Sequence, residues 1–240
     1  MNVNIWIGAD YSCNHHKLSN LICYNSILKH QPHATIKYLD KRDLETKKIY
    51  HRANDEKAST EFTYSRFLIP YLNNYDGIAI FCDNDFMWRC DIYELIQHFY
   101  DSSKALMCVQ HDYKQCNSNF KMNGKNQEWY PRKNWSSLMV FNCAHPKCKL
   151  LNIDSVSNKS GKWLHRFEWL DDEEIGSIPL TYNYLYNYNY NIENPKAIHF
   201  TDGTPGTTYF KTELESNNLY QREWNNYKKK ICNKGNILQN

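Results

Sequence analysis

The chain has 240 residues, 23% charged and 41% hydrophobic, with a formal net charge of +3 at neutral pH. That length suits one α/β domain, or two small ones, with a sizeable core, and the composition excludes a disordered chain. The weak positive balance forms no concentrated basic stripe, which argues against nucleic acid as a partner.

In chain order, Val3 to Ile7 reads as a first strand closed by Gly8, and His16 to His30 carries apolar residues at helical spacing. Thr35 to Leu39 is a second strand. This strand–helix–strand order predicts a parallel α/β unit. After a polar stretch, TEFTYSRFLIPYL reads as a helix that Pro70 ends or kinks, because proline removes a donor and clashes with the preceding turn. Arg66 falls beside the buried stripe of that helix, where it wants an anionic partner, either an internal carboxylate or a ligand. The strand IAIFC follows, then a helix from about Ile92 to Phe99 and the strand ALMCV at Ala105 to Val109. A long polar loop, His111 to Lys133, leads to the strand SLMVFN, Ser137 to Asn142; loops of this length are usually functional. Short helices, the run TYNYLYNYNYN, a late strand around Ala197 to Phe200 and a polar carboxy-terminal helix complete the chain. No repeat or linker interrupts it. One domain is expected over 1–240, with an α/β core over about 1–205 and a polar helical tail over 206–240.

The nine cysteines are odd in number, and Cys82, Cys108 and Cys143 fall in or beside apolar runs, where cysteine acts as a small hydrophobe. No CxxC pair is present. These features predict a reducing compartment. MNVNIWIGADYSC lacks the basic start and apolar run of a signal peptide, and no run approaches the ~20 apolar residues of a membrane helix. A cytoplasmic protein is therefore expected. Lys228 to Lys230 reads as a solvated helix face, with weak peripheral contact to anionic lipid as the alternative.

Candidate chemistry centres on the acidic end of IAIFC. Asp83 and Asp85 follow the strand directly, and in open α/β sheets ligands bind beyond the carboxyl ends of strands. Two hard oxygen donors there suit Mn²⁺ or Mg²⁺, with sites left for phosphate oxygens; a polar turn helped by Asn84 is the rival reading. Asp91 differs, because Glu94 three residues on makes a capping-box arrangement. His199, in KAIHFTDG, is either a third ligand or a core histidine. Gly203 and Gly206 either admit backbone amides to a phosphate or serve as turn residues. The cluster WLDDEEIG is either the acidic first turn of a helix or a sugar-recognising surface, and spacing leaves both open.

Together, STEFTYSRFLIPYL, IFCDNDF, YPRKNWSSLMVFNCAHP and WLDDEEIGSIPLTYNYL resemble small single-domain glycosyltransferases similar to glycosyltransferase family 8 and glycogenin-like enzymes. The resemblance runs from about Val3 to Gly203. It implies a GT-A type nucleotide-sugar-binding fold, with a mostly parallel central sheet flanked by helices. Gly8, Ala9, Asp10 and Tyr11 match the turn that holds base and ribose, and Arg66 matches a basic residue facing the donor diphosphate. Asp83, Asp85 and His199 match the metal ligands, usually of Mn²⁺. Asn84 lies between the two aspartates on the donor side, and Gly203 lies in the later glycine segment. Asn142 matches an asparagine near the donor sugar, while Asp171 and Asp172 match carboxylates around the transferred sugar. One departure stands out: the lysine that commonly follows the late glycine is missing from TDGTPGTTYF, leaving Arg66, Arg132 or Lys133 to neutralise the diphosphate.

The expected activity is metal-dependent transfer of a sugar from a nucleotide diphosphate donor, a UDP-sugar above all, to a hydroxyl of a glycan, lipid or protein, with retention of configuration. Two alternatives remain. One is a nucleotidyltransferase or phosphohydrolase that attacks phosphorus, although GADYSCN is not a Walker loop. The other is a non-catalytic carbohydrate-binding protein, suggested by 19 tyrosines and seven tryptophans.

Overall fold

The computed structural model describes residues 3–55, 58–112, 131–188, 192–207, 210 and 218–233. Strand β1 (Val3–Ala9) leads through helix α1 (Asn14–His30) into β2 (Ile36–Asp40), which lies parallel to it. Helix α1 buries Leu18, Ile22, Cys23 and Ile27, a stripe of helical period facing the sheet. Strand β3 (Ile78–Cys82) pairs parallel on the other side of β1, and all five of its residues are buried. A continuous apolar run is what a strand covered on both faces requires.

Strands β5 (Leu106–Val109), β6 (Leu138–Asn142) and β7 (Ile175–Ile178) complete a six-stranded sheet in the order β2-β1-β3-β6-β5-β7. Strand β6 runs antiparallel to both β3 and β5, while the remaining pairs are parallel. The sheet is thus mostly parallel and flanked by helices, as expected from the sequence. Its polarity also fixes an edge. The carboxyl ends of β1, β3 and β5 share it with the amino end of β6.

A second, three-stranded sheet has the order β4-β9-β8, from β4 (Phe86–Trp88), β8 (Tyr184–Leu185) and β9 (Ala197–His199). The carboxy-terminal helix (Asn218–Asn233) covers it. Its Tyr220, Trp224 and Ile231 join Leu18 and Ile22 of α1 and Tyr184, Tyr186, Ile198 and Phe200 in one apolar cluster. Arg89, just after β4, pairs with Glu223 at 3.0 Å and donates to the Pro195 carbonyl at 2.9 Å. The expected polar tail therefore contains a helix docked on the core.

Several local expectations need correction. Strand β1 runs through Gly8 rather than stopping there, and a Cβ at Gly8 would lie 2.4 Å from Cδ2 of Phe62. The glycine is needed for that close approach, not for a turn. The segment from Thr60 to Leu72 is not one helix: a 3₁₀ turn, Ser65–Leu68, precedes a single α turn, Ile69–Leu72, in which Pro70 occupies the first turn. There its missing N–H has no intrahelical partner to lose. Asp91 does not complete a box; its Oδ1 accepts from Tyr93 N at 2.9 Å and its Oδ2 from Gln31 Nε2 at 3.0 Å.

Residues 113–130 of the expected loop lie outside the described residues, as do 208–209, 211–217 and 234–240 of the expected tail. The eight described cysteines are free thiols. Among the described residues, no helix is long and apolar enough to cross a membrane.

Candidate functional site

The polar groups of the molecule converge on the edge defined above. Asp83 leaves the end of β3, where its N–H donates to the Ser137 carbonyl at 2.9 Å, just before β6 begins. Two residues later the chain enters β4, and Phe86 pairs with His199 of β9. That register sets Asp85 beside His199. The His199 ring stacks on Phe86 at 4.5 Å, and Phe200 N donates to the Asp85 carbonyl at 3.1 Å. Asp83 therefore comes from the large sheet, and Asp85 with His199 from the small one.

The ligand atoms of Asp83, Asp85 and His199 all lie within 4.8 Å of one another. Oδ1 of Asp85 is buried, makes no hydrogen bond, and lies 3.3 Å from Nε2 of His199. Nδ1 of His199 is held by Oδ1 of Asn183 at 2.9 Å. With Nδ1 carrying its proton, Nε2 faces a carboxylate oxygen, and two such acceptors need a cation between them. Burial opposes charge on His199, yet Asp85 raises its pKa above the ordinary value. Burial likewise acts to raise Asp85, but the His199 imidazole holds it below the usual carboxylate range. Asp83 is pushed up to about 7 by burial, against the pull of Arg66 and with the repulsion of Asp85. Two carboxylates and an imidazole in this spacing fit Mn²⁺ or Mg²⁺, which would take the place of the shared proton.

Arg66 is buried and packed against the rings of Phe62 and Phe81, each 5.1 Å from its guanidinium. Its Nη1 donates to Oδ1 of Asp83 at 2.7 Å and to the Ser136 carbonyl at 2.9 Å. The anion it wants is thus internal. Burial demands a paired charge, and a carboxylate of the cluster supplies it.

At the end of β1, Asp10 is also buried. Its Oδ1 accepts from the Ser12 N–H at 2.9 Å and hydroxyl at 2.5 Å, its Oδ2 accepts from Glu61 N at 3.3 Å, and His16 Nδ1 lies 3.8 Å from Oδ2. Asn20 of α1 ties this turn to the cluster. It donates to the Asp10 carbonyl at 2.9 Å and accepts from Asn84 Nδ2 at 2.7 Å. Tyr11 N donates to Glu61 Oε2 at 3.0 Å, and the Arg42 guanidinium sits 4.6 Å over the Tyr11 ring. Ala9 is fully buried behind them. Beside this turn opens a cleft of about 280 Å³, lined in part by Asp10, Ser12, Tyr50, Asp55, Glu61 and Tyr64.

One sequence candidate lies at the opposite edge of the sheet. Asn142 pairs with Ile78 at the opposite end of β3, about 16 Å along the strand from Asp83, because β6 is antiparallel. Its side chain donates to the Ser102 carbonyl at 3.1 Å. Asp171 and Asp172 precede the amino end of β7 and are exposed. They form ion pairs with Lys147 and Arg132 respectively, and Glu174 Oε2 accepts from Asp171 N at 2.9 Å. This is the turn-capping use of the acidic run. Arg132 also donates to the Arg166 carbonyl at 2.6 Å, and Lys133 is buried. Gly203 and Gly206 have φ of 124° and 97°, and Gly203 N closes a turn onto the Phe200 carbonyl at 3.0 Å.

Asn183, fully buried, was not singled out in the sequence; its only trace there is an amide between Tyr182 and Tyr184 in an aromatic run. From sequence Ser137 reads only as the first residue of a strand, and Ser136 carries no reading of its own, although their carbonyls hold Asp83 and Arg66.

No protein-family model matches the sequence. In fold, the chain is similar to an active-site mutant of LgtC at 10% identity, with a TM-score of 0.58 and 95% of each chain covered. It is also similar to the glycosyltransferase GlyE of Streptococcus pneumoniae TIGR4 at 14% identity, with a TM-score of 0.59, covering 93% of this chain and 59% of that one. These likenesses show a GT-A glycosyltransferase fold. In sequence, it is 41% identical over 231 residues to Protein CDI of Arabidopsis thaliana, covering 94% of this chain and 87% of that protein. The chain belongs to the family of that Arabidopsis protein.

Proposed function

We propose that the protein transfers a hexosyl group from a nucleoside diphosphate sugar to an acceptor hydroxyl, using Mn²⁺ or Mg²⁺ held by Asp83, Asp85 and His199. One observation carries this reading: a carboxylate–carboxylate–imidazole cluster within 4.8 Å, on the carboxyl edge of a sheet with the GT-A fold, near the Asp10 turn and its cleft. A phosphate-rich donor laid along that edge would set its nucleoside in the cleft and its diphosphate at the cluster. When bound, the metal supplies Lewis-acid stabilisation of the charge developing on the leaving diphosphate.

The chain's own residues do the rest. Arg66 aims Asp83 and opposes its protonation, and Asn20 locks the Asp10 turn to Asn84. Tyr11, backed by Arg42, offers a ring face to the base, and Asp10 and Glu61 offer acceptors to base or ribose hydrogens. The resemblance to glycosyltransferase family 8 favours a UDP-sugar and retention of configuration. Cys23 and Cys82, thiols 3.8 Å apart in the core, support a reducing compartment such as the cytoplasm.

The test is a panel of nucleotide sugars with and without Mn²⁺, scored for released nucleoside. Metal-dependent release of nucleoside diphosphate is expected from at least one donor. Release of nucleoside monophosphate would show attack at phosphorus and overturn the transferase reading. So would a calorimetric titration in which Mn²⁺ makes no difference to nucleotide binding.

A further inference from the structure

His199 has two ring nitrogens, and only one can face the cluster. Which of them carries the proton is decided by hydrogen bonds on the far side of the ring. Those bonds form a chain with a fixed direction. It starts at the backbone carbonyl of Asn134, which can only accept. The Ser137 hydroxyl donates to it at 2.7 Å, so the serine proton is committed. Ser137 Oγ then has only lone pairs left to offer, and Asn183 Nδ2 donates to it at 2.9 Å. That fixes the orientation of the Asn183 amide, with Oδ1 turned to His199 Nδ1 at 2.9 Å. An amide oxygen can only accept, so Nδ1 must be the protonated nitrogen and Nε2 the one turned to Asp85.

All the side chains in this chain are buried: Ser137 is 3% exposed, Asn183 0% and His199 2%. Water does not compete for the bonds, and an amide flip would leave a buried donor facing a donor. The starting carbonyl is itself oriented by backbone, since Asn134 has φ of 64° and Ser137 N donates back to its carbonyl at 3.3 Å.

We infer that Asn183 is a positioning residue for the metal site: the relay Asn134 carbonyl–Ser137–Asn183 sets the tautomer and ring orientation of His199, so that Nε2 is the ligand atom. The inference rests on the metal reading above but not on sugar transfer. Partners of this kind, one shell behind a ligating histidine, typically govern metal affinity by about 10–100-fold.

The experiment measures Mn²⁺ binding alone by calorimetry, on the full chain, for the wild type, Asn183→Leu, Asn183→Asp and Ser137→Ala. Asn183→Leu is expected to weaken Mn²⁺ by about 10–100-fold. Asn183→Asp keeps an acceptor for Nδ1–H and should restore binding to within about threefold, a rescue that a space-filling role would not show. Ser137→Ala, which frees the amide to flip, should fall between them. In parallel, ¹⁵N-histidine NMR of the Mg²⁺-loaded wild type should show His199 protonated at Nδ1. Should Asn183→Leu fail to fold, Ser137→Ala and the NMR signal carry the test. Wild-type affinity in folded Asn183→Leu, an unprotonated Nδ1, or no Mn²⁺ binding by the wild type would each overturn the inference. Asn183-dependent Mn²⁺ binding by a protein that turns over no donor would uphold it and sink the transferase reading alone.

Discussion

The two sheets of this molecule are built by different means. In the large sheet, β3 is paired along its whole length on both sides, to β1 and to β6, and its strands other than β7 are legible as apolar runs. The small sheet has strands of two or three residues, too short to persist by themselves. It nevertheless carries Asp85 and His199, two of the three candidate ligands. What holds it is the carboxy-terminal helix, whose Trp224 is fully buried against Phe200 at 4.9 Å between ring centroids. The site thus joins a self-supporting frame to a part that depends on a helix from the far end of the sequence.

The sharpest way to break that contrast is to remove the helix's main contact. Trp224→Ala is expected to cost about 3–5 kcal/mol in urea unfolding. Hydrogen exchange should then show amides of β8 and β9 losing more protection than those of β1 and β3. Equal losses everywhere would make the two sheets a single cooperative unit. The large sheet has its own weak point at Gly8. Gly8→Ala drives a methyl into the Phe62 ring and should cost about 1–3 kcal/mol. Here protection should fall across β1 and its neighbours, the reverse of the tryptophan pattern.

The smallest effect concerns the junction. Burial pushes the His111 pKa down to about 3, with the charge of His199 adding to it. An unfolded histidine takes up its proton near pH 6.5, whereas the folded one stays neutral to about 3. Native stability is therefore lost as pH falls below 6.5, by at most about 1.4 kcal/mol per unit from this group. Unfolding midpoints of His111→Gln should depend less on pH between 6 and 4 than those of the wild type. Parallel pH profiles would remove His111 from the acid response.

Much of the frame was legible in the sequence because its strands other than β7 have their own apolar patterns; β7 begins inside WLDDEEIG, and its IGSI is no apolar run. VNIWI, IAIFC and SLMVFN stand out, and Asp83, Asp85 and His199 could be picked out as donor types after or within strands. The small sheet was not legible as a whole. FMW directly follows an acidic turn, and YL sits in a tyrosine run, so these strands are defined by pairing rather than by periodicity. Asn142 misled because a sequence does not state strand direction; one antiparallel strand moved it to the wrong end. Asp171 and Asp172 were ambiguous because an acidic run can serve a cap or a sugar, and spacing does not separate the two; the structure shows the cap. The helical tail was underestimated, since Tyr220, Trp224 and Ile231 form a narrow stripe within a polar composition.

The reversed strand β6 has a last consequence. Because the chain arrives at the site edge there instead of departing, it offers main-chain oxygens: Ser136 O to Arg66, Ser137 O to Asp83 N, and Asn134 O to the serine hydroxyl. Backbone atoms survive every side-chain substitution. An alanine scan of 134–137 would register the Ser137 hydroxyl but pass over the Ser136 and Ser137 carbonyls, and would rank the segment below its structural weight. Only a change in the path of the chain, such as a one-residue deletion or proline at 136, would expose it.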